Sequence, residues 1–137
     1  MTALAGELAL SEEQWYRQTF PLRSGKKAWK GALMIGNPTS ADVVPGVSSA
    51  GQVFLGRCAA TIDNTNGTGP TNVTINLVKE KTLIWCANDG TITAGSLFQN
   101  AYILDDQTVT STSSGNTLLG IIMAVSSVDG VLVQLAG

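Results

Sequence analysis

Beyond Phe20 the chain has no stretch with the 3.6-residue apolar period of an ordinary helix. What recurs instead is a short apolar run, closed by Gly, Pro, Asn or Asp, at intervals of roughly 8–12 residues. That rhythm belongs to an all-β sandwich or barrel, and the lack of intervening helices excludes a sheet built from βαβ units. Strands are expected at 32–35, 43–44, 52–62, 72–77, 82–86, 97–104, 108–111, 118–125 and 131–135. Alternation is strict over 72–77, with Val73, Ile75 and Leu77 on one face and Asn72, Thr74 and Asn76 on the other. Gly56, inside the longest run, marks a bulge or a close backbone approach. Asn88-Asp89-Gly90 and Asp129-Gly130 carry turn chemistry. A chain of 137 residues suits one domain. The expectation is a small antiparallel β-barrel or sandwich of short strands over 31–137.

Residues 1–30 read as an N-terminal arm. Ser11 and Gln14 have the spacing of a capping box, opening a short helix that Phe20-Pro21 ends. From Pro21 to Lys30 the segment is basic and aperiodic, so an extended strap is expected. Trp15, Tyr16, Phe20, Arg23, Lys26, Lys27 and Trp29 give the arm the composition of a protein-interaction anchor. Cations interleaved with aromatics also suit single-stranded nucleic acid. The body that follows is acidic, however, with Arg57, Lys79 and Lys81 set against Glu80 and six aspartates. Such a body repels phosphates, so a protein partner is favoured and no direct contact with nucleic acid is expected.

Composition narrows the chemistry. There is no histidine and only 13% of residues are charged, which excludes histidine-based acid–base catalysis and a His-ligated zinc site. No Gly-x-Ser-x-Gly elbow or phosphate loop occurs. Asp105 and Asp106 are the most enzyme-like pair, but neighbours on a strand face opposite ways, and aspartates favour a hairpin tip. Cys58 and Cys86 are read as small hydrophobes on neighbouring strands, with a disulfide as the other reading. No apolar run approaches the roughly 20 residues that span a bilayer, and the N-terminus lacks the cationic start of a secretory signal. No catalytic residue, metal site or cofactor is expected, and no membrane.

One stretch carries more. Tyr102, two apolar residues, then Asp105, Asp106, Gln107, Thr108, Val109 and Thr110 run into a polar turn at Gly115-Asn116. Leu119-Gly120 and Val131 to Val133 follow, and upstream stands Phe54-Leu55-Gly56-Arg57-Cys58-Ala59. This order resembles the small capsid cement (head decoration) proteins of tailed bacteriophages, over roughly residues 31–135. The resemblance implies a structural, non-enzymatic virion protein on the outer surface of an icosahedral head. The implied partner is the major capsid protein, with self-association into a trimer, or else a dimer. The hairpin residues inherit only a structural role. Residues 1–30 lie outside the resemblance. A carbohydrate- or receptor-binding β domain on a virion is the competing reading, with Trp85, Phe98 and Tyr102 as its aromatic platform.

Overall fold

The computed structural model describes residues 17–78 and 81–135. Twelve strands account for nearly all of the regular structure there. They are β1 (Arg17–Leu22), β2 (Lys26–Ala28), β3 (Leu33–Asn37), β4 (Asp42–Pro45), β5 (Val53–Cys58), β6 (Ile62–Asn64), β7 (Thr71–Leu77), β8 (Leu83–Asn88), β9 (Asn100–Ile103), β10 (Thr108–Thr110), β11 (Thr117–Ser126) and β12 (Gly130–Leu135). The one helical turn among the described residues is a 3-10 turn at Ala94–Ser96.

The strands close into two five-stranded barrels. The first has the order β1-β4-β3-β5-β7, the second β10-β8-β12-β11-β9, and β2 with β6 forms a separate two-stranded ribbon. A ring of five cannot be antiparallel throughout, because alternating directions must repeat once around an odd circle. Each barrel therefore has one parallel seam, β1 against β4 and β10 against β8. Every other pairing is antiparallel.

The expected division after residue 30 does not match the folding unit. β1 pairs with β7 from Arg17↔Asn76 to Leu22↔Thr71, so it is a wall of the first barrel. β2 pairs with β6 from Lys26↔Asn64 to Ala28↔Ile62. The segment expected as an extended strap is extended, but it is built into the body. Its partners lie dozens of residues downstream, which no local pattern reveals. The helix expected from Ser11 to Phe20 lies outside the described residues up to position 16, and from Arg17 to Phe20 the chain is strand β1 instead, paired with β7.

Two further differences have local causes. The expected strand 52–62 is two strands, because a bend at 59–61 sends the chain across to β2. The expected strand 97–104 begins only at Asn100, since Leu97 and Phe98 follow the 3-10 turn and Phe98 has a φ of 70°.

The barrels are fused by their cores. Leu22, Met34, Val43, Cys58, Val73 and Ile75 fill the first barrel. Ile84, Cys86, Ile103, Leu119, Ile122 and Val133 fill the second, joined by Leu33, Ile35 and Val44 from the first. Thus β3 sends Met34 into its own barrel and Leu33 and Ile35 into the junction. A strand buried on both faces reads as an unbroken apolar run, and 32–35 is one. At Gly56 the register between β3 and β5 shifts, as the sequence suggests. A Cβ there would overlap the Asn76 carbonyl of β7.

Candidate functional site

The hairpin that carries the resemblance is the suture between the barrels. β9 and β10 pair through Val109↔Ile103 and Thr110↔Tyr102, with Asp105 and Asp106 at the tip. The Asp105 carboxylate accepts from the backbone N–H groups of Gln107 (3.0 Å) and Thr108 (2.8 Å), the local bonding that aspartate brings to turns. The tip backbone then joins both barrels. Asp106 C=O accepts from Leu33 N–H at 2.8 Å, and Gln107 C=O accepts from Ala87 N–H at 2.9 Å. Val47 bridges Asp105. Farther along the junction, Thr117 Oγ1 donates to Ser49 C=O at 2.8 Å, and Ser48 Oγ bonds Asn116 Oδ1 at 2.7 Å. Burial, followed by the neighbouring Asp105 charge, pushes the Asp106 carboxyl above its usual value.

The arm residues are dispersed. Phe20 packs on the first core. Arg23 is committed to Asp42, with Nε to Oδ2 at 3.0 Å and a terminal nitrogen to Oδ1 at 2.9 Å. The Arg23 hydrogen bonds, supported by the Ser40 hydroxyl, hold the Asp42 carboxyl below the usual carboxylate range. Lys26 is exposed on the ribbon. Lys27 lies 3.9 Å from Asp63 and sets its ammonium 3.8 Å from the ring centre of Trp29. Trp15 and Tyr16 lie outside the described residues.

Two surfaces stand out. The first is the outer face of the second barrel. Register places Gln134 of β12 opposite both Leu83 of β8 and Ile121 of β11, and Leu132 opposite Trp85. Leu83 is 50% exposed, Ile121 40%, and Leu118 and Met123 on β11 are also exposed. Exposed apolar side chains of β8 and β11 thus flank Gln134 of β12, with Leu132 half-buried two residues along that strand.

The second is a trough along the junction. One hollow of about 450 Å³ is lined by Trp29, Lys30, Gly31, Ala32, Arg57, Asp106 and Gln107. Another of about 580 Å³ includes Arg57 and Gln107 again, then Trp85, Asn88, the 126–129 turn and Gly130. Arg57 reaches it by donating Nε–H to Gly31 C=O at 2.9 Å. Of the expected aromatic platform, Trp85 lines this trough, while Phe98 and Tyr102 do not. Tyr102 is half-buried on β9 opposite Thr110 and Leu118, and Phe98 is 73% exposed beside Ile122. Sequence reasoning passed over Arg57 and Gln107 as binding groups. The available signal was a lone cation in the apolar run 53–58 and a glutamine at a hairpin tip.

Cys58 and Cys86 are free and buried, one in each core. Burial pushes the Cys86 thiol up to about 11, against a smaller opposing pull from Arg57. Such thiols pack as small hydrophobes. Comparison with known proteins gives no match, whether to family models, curated proteins or solved structures.

Proposed function

We propose that this chain is a structural, non-enzymatic protein of a tailed-phage head, a cement protein on the outer surface of the icosahedral shell. In this reading it bridges neighbouring major capsid subunits. The observation that carries it is the group of exposed apolar side chains Leu83, Leu118, Ile121 and Met123, set on a body in which Leu33, Ile35 and Val44 of the first barrel pack into the core of the second. Scattered surface hydrophobes need no explanation, but four exposed apolar side chains gathered on one barrel, around Gln134, suit a partner. The Asp-Asp-Gln-Thr-Val-Thr run adds support, since its residues hold the two barrels together, and a resemblance at such positions concerns architecture.

The work required is additive. A standard contact buries about 800 Å² per partner. Two such contacts on adjacent shell subunits act together, and avidity exceeds either alone by roughly 10²–10⁴. Binding that favours the assembled shell over its separated subunits stabilises the shell by mass action. Self-association completes the reading, with a trimer ahead of a dimer because shell lattices offer threefold positions.

The test is co-sedimentation with purified phage shells stripped of their accessory proteins. The wild-type chain should saturate at a fixed ratio to shell subunits. Leu83→Glu with Ile121→Glu should weaken binding at least tenfold while leaving the circular dichroism spectrum unchanged. No sedimentation with any shell, or equal binding by the double variant, contradicts the reading.

A further inference from the structure

The trough along the barrel junction has a chemistry different from the apolar face. Its two hollows meet at Arg57 and Gln107, each of which lines both, with Trp29 in one half and Trp85 in the other. Hollows of these sizes fall within the roughly 300–1,000 Å³ range of small-ligand sites. Both indoles are open to solvent, Trp29 at 55% and Trp85 at 47%. Lys27 occupies one face of the Trp29 ring and so steadies it. Between the rings the groups are polar and uncommitted. Among the described residues, the Gln107 side-chain amide makes no hydrogen bond, and Arg57 uses only its Nε–H, on Gly31. Ser127 and Asp129 line the far half.

Charge decides the class of occupant. Lys30 and Arg57 are balanced by Asp106 and Asp129, so the lining favours neither a polyanion nor a cationic peptide. What remains is apolar platforms flanking a mixed set of donors and acceptors. Gln107 offers both, Arg57 a planar fork of donors, and Asp129 acceptors only. A pyranose has the complementary form, with an apolar ring face for an indole and a rim of vicinal hydroxyls for forked polar groups. We propose that the trough is a binding site for a neutral oligosaccharide, stacked on Trp85 and Trp29 and hydrogen-bonded between them by Arg57 and Gln107. This goes beyond the shell-binding reading and does not need it. The two surfaces share only Trp85, and the variants that test shell binding, at Leu83 and Ile121, lie outside the trough.

The test is a printed array of neutral and acidic glycans probed with the full-length chain, followed by calorimetric titration of soluble oligosaccharides from the class retained. Binding to neutral oligosaccharides is expected. Trp85→Ala and Gln107→Ala should each raise Kd by roughly tenfold or more, the scale of about 1.4 kcal/mol. Phe98→Ala removes a still more exposed ring outside the trough and should leave Kd unchanged. Both side chains to be removed are exposed, and a circular dichroism melt checks that each variant is folded. Retention of no neutral glycan overturns the proposal, as does retention confined to sulfated or polyuronic glycans. So does a Trp85→Ala variant that binds as the wild type does.

Discussion

Asp42 and Gly46, a few residues apart on and just after β4, govern stability by different means. Asp42 is fixed by the forked bond from Arg23 and by the Ser40 hydroxyl at 2.6 Å. Its carboxyl titrates below the unfolded value of about 3.9, so the pair's contribution is complete above that pH and is lost as pH falls through the folded pKa. The pair is partly solvent-exposed, which limits the contribution to about 0.5–1 kcal/mol. Asp42→Asn should cost that much at pH 7 in urea unfolding, and the difference from wild type should shrink as pH drops below about 4. Asp106 has the opposite sign. Burial and Asp105 raise its pKa, so it favours the fold while protonated and opposes it once ionised. Asp106→Asn should therefore be neutral or stabilising at pH 7. At Gly46 a Cβ would sit 2.8 Å from Ile103 Cγ2 and 2.9 Å from the Asp105 carbonyl oxygen, where the barrels touch. Gly46→Ala should destabilise by about 1–3 kcal/mol through overpacking, measured by thermal or urea melts.

Among the elements, β3 and β1 show what local pattern can and cannot reveal. The run 32–35 is legible because both faces of β3 are buried, and the alternation of 72–77 because one face of β7 is. The hairpin at Asp105 and Asp106 is legible from turn chemistry alone. β1 is not, since only Leu22 of Arg17–Leu22 is fully buried, its composition is mixed, and Pro21 signals a break. Pro21 is tolerated because the pairing of β1 with β4 is confined to Leu22. The doubling of the barrel is also hidden, because the parallel seams join strands distant in sequence. The trough is invisible for the same reason, as Trp29, Arg57, Trp85 and Gln107 come from four separate segments. Removal of residues 1–30 should consequently unfold the first barrel rather than free a body, with loss of the β signal by circular dichroism. Ile35, fully buried in the shared core, should cost about 2–5 kcal/mol on truncation to Ala. Circular dichroism and tryptophan fluorescence should still report one coincident transition. Two separated transitions would show that the barrels fold independently.

For the molecule as a whole, ten of the twelve strands close into barrels, and among the described residues only the β2-β6 ribbon is an open sheet, which limits pairing to other chains through edges. Association is left to faces, and the described surface presents two of contrasting character. The apolar face of the second barrel suits a broad protein contact, and the balanced, indole-flanked trough suits a small polar ligand. In the proposed reading the first carries the work, through weak contacts repeated across a lattice. Quantitative mass spectrometry of purified phage particles tests that claim most directly. The chain should be present at a copy number comparable with that of the major shell subunit. Its absence from purified particles, or its presence in only a few copies per head, would contradict the account.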